Sequence, residues 1–229
     1  MFQFAGPGRT MRHHGDTSSP RNMRFGTAAE WQYRAMSAGD LDEAQRAMDS
    51  CMAQFGERNR DTLDAMSRLG KAHISHGDLA SARSLQEKVF TTRRELLGTD
   101  DPSTIWAANE FANTLQKLGE LDLANSIQQD NLALVERIYG RDDEEVMVLR
   151  QNLASIRYEV GDLAGCAELQ EQMVASLGRV HGNIDLRTIQ AVANLAYTKQ
   201  RQGDYLGAIP LQLRSIRDHI RLRLRRSTT

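Results

Sequence analysis

Residues 77–124 read GDLASARSLQEKVFTTRRELLGTDDPSTIWAANEFANTLQKLGELDLA, and the stretch closes on the phrase that opened it. Gly77-Asp78-Leu79 returns as Gly119-Glu120-Leu121, and five residues past each glycine stands a small side chain, Ala82 and then Ala124. Gly98 lies midway, 21 residues from Gly77 and from Gly119, and opens a polar linker, TDDPST at 99–104. One period of 42 residues is therefore made of two unlike halves, each closed by glycine.

Working outward, the lattice runs through most of the chain. Gly56, Gly77, Gly98, Gly119, Gly140, Gly161, Gly182 and Gly203 are each 21 residues apart, and these are eight of 17 glycines. The glycine-acid turn stands at 39–41, 77–79, 119–121, 161–163 and 203–205, with Ala44, Ala82, Ala124, Cys166 and Ala208 at the small position. Self-similarity at such a period marks a repeat architecture, which is read before any local feature. Each half carries helical patterning. In the halves after the acidic turns, three apolar rows recur: Leu85, Ile127, Leu169, Leu211; Phe90, Leu132, Val174, Ile216; and Leu96, Ile138, Val180, Leu222. In the alternate halves Leu69, Phe111, Leu153 and Leu195 precede Gly70, Ala112, Ala154 and Ala196, small residues that let helix axes approach. Glycine suits a left-handed helix end, and Asp40, Asp78, Asp162 and Asp204 suit the N-cap of the helix that follows. Pro210 falls near the start of its helix.

This pattern resembles the tetratricopeptide repeat in its 42-residue form, that of kinesin light chains and of the sensor arrays of bacterial STAND-type signalling proteins. The family's asparagine-leucine-alanine signature stands at Asn152-Leu153-Ala154 and Asn194-Leu195-Ala196. The resemblance implies an all-α fold, a right-handed superhelical solenoid of antiparallel helix pairs, over residues 26–226. Residues 1–25 are expected to be a disordered basic tail, with Met11 and Met23 as alternative starts, and 227–229 a short tail. The first unit, Gly39 to Gly56, is 4 residues short, about one helical turn. The segment 27–39, with Gln32 where later units are small, reads as a terminal helix.

Composition narrows the function. No apolar run reaches the ~18 residues of a membrane span, the start lacks a secretory h-region, and two cysteines, Cys51 and Cys166, exclude a disulfide scaffold. A cytoplasmic location is expected. The net charge of −1 is unevenly spread: residues 1–25 carry +3 and 214–229 carry +5, which leaves −9 for 26–213. Nucleic acid is accordingly not an expected partner.

The search for chemistry finds no phosphate loop or dinucleotide fingerprint. His73 and His76 are three apart on one helix, but no further ligands accompany them. No catalytic, cofactor or metal site is expected, and no enzymatic activity. The acid run Asp142 to Glu145 reads as a helix start, where negative charge is favourable.

The resemblance implies instead a peptide- or protein-binding groove lined by the first helix of each repeat. Carried across, its positions begin with Ser67 and Lys71, then Trp106, Asn109, Asn113 and Gln116. The next repeat supplies Gln151, Asn152, Ser155 and Tyr158, and the last Gln190, Asn194, Tyr197 and Arg201. Amide side chains both donate and accept, so a row of them suits peptide backbone, and the aromatics suit anchoring contacts. Lys71 and Arg201 alone do not make a carboxylate clamp. The expected function is a non-enzymatic adaptor or scaffold. The alternatives are self-assembly through the basic helix 205–226, which lacks a successor, and a peptide-sensing regulatory receptor, alone or as part of a larger signalling protein.

Overall fold

In this computed structural model the described residues are 41–227, with side chains as far as Leu224. The expectations for the tail 1–25, the helix at 27–39, Gly39, Asp40 and residues 228–229 lie outside them. Within the described residues there are nine α-helices and no strand: α1 (Leu41–Phe55), α2 (Arg60–Ser75), α3 (Leu79–Leu97), α4 (Pro102–Leu118), α5 (Leu121–Tyr139), α6 (Glu144–Val160), α7 (Leu163–Val180), α8 (Leu186–Arg201) and α9 (Tyr205–Ser227). Each helix packs chiefly on the one before it and the one after it, and α4 also touches α6. The protein is an all-α solenoid of helical hairpins, α2/α3, α4/α5, α6/α7 and α8/α9, with α1 leaning on the first. The missing turn is visible, because α1 has 15 residues where α3 and α5 have 19.

All eight lattice glycines have positive φ, between 77° and 90°, and among the described residues no other residue type does. They are of two kinds. Gly119 and Gly161, at acidic turns, sit in the left-handed helical region, with ψ of 10° and 4°. Gly98 and Gly140, which lead from one hairpin to the next, have ψ of 173° and 164°. That second region is open to glycine almost alone.

The side-chain caps follow the same period. Asp78, Asp162 and Asp204 accept from the backbone N–H three residues on. Asn59, Asp101, Asp143 and Asp185, again 42 apart, cap the first helices by accepting from the N–H two residues on. At Gly165 and Gly207 a Cβ would crowd the capping carboxylate of Asp162 or Asp204 as placed, whereas Ser81, at the same position, keeps its bond to Asp78 with a Cβ present. Pro210 departs from expectation. It is the sixth residue of α9, past the first turn, so position 210 supplies no N–H to the Leu206 carbonyl.

Close approach occurs where the small residues stand. Gly70, Ala112, Ala154 and Ala196 are buried in the first helices, as are Ala82, Ala124, Cys166 and Ala208 in the second. Core clusters bridge successive hairpins, such as Phe111, Leu115, Ala124 and Ile156. One apolar row is corrected. Leu96 and Val180 lie 42% and 49% exposed near the ends of α3 and α7. Gln86, Gln128 and Gln170, also 42 apart, are buried in their place in the period. Gln128 explains why amides fit there: its Nε2 donates to Asn109 Oδ1 at 3.1 Å and to the Leu149 carbonyl at 3.4 Å, tying α5 to two first helices. No described helix is long and apolar enough to cross a membrane.

Candidate ligand-binding face

The first helices α2, α4, α6 and α8 carry the candidate residues at repeating positions, so Lys71, Asn113, Ser155 and Tyr197 occupy one place in successive hairpins. Neighbouring first helices are then fastened to each other by side chains. Asn152 Nδ2 on α6 donates to Asn109 Oδ1 on α4 at 2.8 Å. Gln116 Nε2 donates to Ser155 Oγ at 2.9 Å and also reaches the Glu159 carboxylate. The Tyr158 hydroxyl meets the Tyr197 hydroxyl at 3.4 Å, with the rings stacked 6.1 Å apart. These partners lie 39 or 43 residues apart rather than 42, because adjacent helices are staggered by part of a turn.

At the α2 end the centre is Glu110, a residue that stands where later repeats have Asn152 and Asn194. Its carboxylate is buried, forms an ion pair with Lys71 Nζ, and accepts from Trp106 Nε1 at 2.7 Å. Sequence reading passed over Glu110 as a functional position. The break in the asparagine pattern was the available signal. Asn109 is also buried, and its oxygen already accepts from both Gln128 and Asn152. Its amide therefore pins three helices together, and a ligand meets it only through its neighbours. Ser67 is buried as well.

The exposed part of the face lies toward α8. Gln151, Gln190, Asn194, Tyr197 and Arg201 are open to solvent, and Tyr158 is half-buried beside Tyr197. The structure thus divides the candidate positions. Asn109, Asn152, Gln116 and Ser155 are engaged across the hairpin junctions, Lys71 and Trp106 on Glu110, while Asn113 stays half-buried between the two groups. The Tyr158 phenol is pushed up by its hydrogen bond to Tyr197 and by burial, with Arg201 opposing.

Elsewhere, His76 Nδ1 is turned to the Ala72 carbonyl at 2.9 Å, and His73 lies 3.1 Å from Asp78. Among the described residues no three potential metal ligands cluster. Cys166 is buried, and burial pushes its thiol up, as befits a core residue in the place of alanine.

The family model described as tetratricopeptide repeat matches residues 62–103 and 104–145, two consecutive periods. No curated protein sequence matches the chain. Among solved structures, one similar to this chain is a putative kinesin light chain of Podosopora anserina with nearly identical TPR-like repeats. It has 17% identity, covers 84% of this chain and 96% of its own, and has a TM-score of 0.75. BtubC (BKLC) from P. vanneervenii has 19% identity, with 86% and 76% covered and a TM-score of 0.62. A MamA fragment from Desulfovibrio magneticus RS-1 has 16% identity, with 82% and 91% covered and a TM-score of 0.58. At such identities the likeness is one of fold.

Proposed function

Because the chain is a tetratricopeptide-repeat protein, we propose that it works without covalent chemistry, as an adaptor whose first-helix face holds a peptide or protein segment. The fold typically serves as an interaction scaffold; the face, and the residues on it, are our reading. The observation that carries it is the contrast along that face. Toward α2 and α4 the polar groups are committed to one another, whereas toward α8 a stacked tyrosine pair stands beside solvent-exposed Gln151, Gln190 and Asn194. Rigid aromatic rings lose little entropy on binding, and flanking amides hydrogen-bond an extended backbone in either direction. The junction bonds hold those groups in place beforehand, which lowers the ordering cost of association. Asn109 and Asn152 act as positioning residues.

The test uses a displayed peptide library selected against the full chain, followed by affinity measurements on the best binder. Tyr197→Ala is expected to weaken binding by about tenfold or more, and Asn194→Ala by less. Asp130→Ala, an exposed second-helix change, leaves it unchanged. Equal affinity for all three folded variants would assign the ligand to another surface. With both cysteines free, one of them buried, a reducing compartment such as the cytoplasm suits the protein.

A further inference from the structure

The last helix is unlike its predecessors in what it shows to water. Along α9, Leu206, Ile209, Leu213, Ile216 and Ile220 form a single stripe at helical spacing, with exposures of 89%, 51%, 64%, 59% and 53%. No described helix follows α9, which uncovers positions of the kind that a following hairpin packs on elsewhere. Ile216 is one of these, since its counterparts Phe90, Leu132 and Val174 face the following hairpin. Leu206, Leu213 and Ile220 are different. Their counterparts are Ala80, Asp122 and Ala164; Glu87, Gln129 and Glu171; and Arg94, Glu136 and Gly178. Positions that are small or polar in every earlier hairpin have become large and apolar in α9. The want of a described packing neighbour accounts for part of the stripe only.

We propose that the stripe is the interface of a homodimer, with α9 of one protomer lying antiparallel on α9 of a second copy. Three features select this occupant. The first is size. Five large side chains, at least half exposed, present several hundred Å2 of apolar surface, more than a monomer ordinarily leaves in water. With the arginine stems beside them, a second helix would cover an area on the order of 800 Å2 per partner, the range of stable associations.

The second is symmetry. An isologous contact requires a patch complementary to itself. From Ile209 to Ile220 the steps are four, three and four residues, the same from either end. A two-fold axis between Leu213 and Ile216 sets Ile209 against Ile220 of the second copy. Leu213 then meets its Ile216.

The third is charge. Arg214, Arg217, Arg221 and Arg223 crowd one half of α9, while residues 205–213 carry no charge. A parallel pair would stack arginine on arginine, whereas the antiparallel pair lays each basic half along the uncharged half of the other. Asp218, buried and held below the usual carboxylate range by its hydrogen bond from Arg217 and by Arg214 and Arg221, draws these guanidinium groups along the helix surface.

The experiment is sedimentation equilibrium of the full chain at micromolar concentrations, in low and high salt. The expected mass is twice the 25.7 kDa of one chain, retained or favoured at high salt, where the remaining arginine repulsion is screened. Leu213→Glu with Ile220→Glu, which restores residue types found at these places in earlier hairpins, is expected to be monomeric with unchanged helical circular dichroism. A second measurement needs no charged variant. Ile209→Cys and Ile220→Cys chains, oxidised after mixing, are expected to form the mixed disulfide far more readily than either forms with itself, with the native chain as background control. A monomeric native chain, a variant that still dimerises, or cross-linking of each variant with itself alone would each overturn the proposal. The first outcome would leave the stripe to residues 1–40 or to another protein.

Discussion

Asn109 shows how far one side chain can carry the architecture. It stands in the first helix of its hairpin, yet its oxygen accepts from the second helix of the same hairpin and from the first helix of the next. Asn109→Ala leaves the buried Gln128 amide with a weakened partner set, and we expect a loss of about 1–3 kcal/mol in urea unfolding. Gly140 makes a second residue-scale case. At φ of 87° and ψ of 164° a Cβ is poorly tolerated although the space is open. Gly140→Ala should therefore cost about 1–3 kcal/mol through the backbone alone; a neutral result would mean that the linker relaxes.

Glu145 gives the pH dependence. Burial, a hydrogen bond shared with Asp143, and the charges of Asp143 and Glu144 push its carboxyl up from 4.5 to about 7. Between those values the folded state holds more protons than the unfolded one, so this group's contribution falls as pH rises from about 4.5 to about 7. Glu145→Gln should flatten the stability profile over that window and stabilise the protein above it, as read from thermal unfolding at a series of pH values. Asp142 works in the opposite sense. Its hydrogen bond from Arg179, aided by Ser176, holds it at about 2 rather than 3.8, so its contribution is present above about 3.8 and lost as pH falls toward 2.

At the scale of the element, the first three hairpins are each closed at the open end by an ion pair 37 residues apart in sequence. Asp100 meets Arg137 and Asp142 meets Arg179, while in the first hairpin the signs are reversed, Arg58 with Glu95. Position matters here and polarity does not. The paired exchange Arg58→Glu with Glu95→Arg should change stability by well under 1 kcal/mol, as exposed pairs do; a large effect would show that these pairs do more than close the hairpin. Arg150 is another matter. It is buried between α6, Glu136 of α5, the Arg141 carbonyl and Ser176 of α7. Truncation to Ala takes its guanidinium partner from Glu136 and one of two donors each from the Arg141 carbonyl and Ser176 Oγ, with an expected loss of about 3–5 kcal/mol.

For the molecule as a whole, the period was legible because its markers answer to backbone geometry. Positive φ selects glycine whatever surrounds it, and all eight lattice glycines show it. The caps were equally plain at Asp78, Asp162 and Asp204. Burial of polar side chains was not legible. Gln86, Gln128 and Gln170 repeat like any surface row, and only the neighbouring helix decides whether an amide meets water or another amide. The candidate face was half readable for the same reason. Its positions follow from the period, but junction bonds formed at offsets of 39 and 43 consumed several of its polar groups.

Contacts that reach only from one hairpin to the next also decide how the protein responds to load. Such an array is a spring with separate joints, each with its own stiffness. The joint between α4 and α6 is latched by amides and a hydroxyl, that between α6 and α8 by two tyrosines stacked at the surface. Tension on the ends should open the second joint first, and a ligand gripping the tyrosines would stiffen the spring where it is softest.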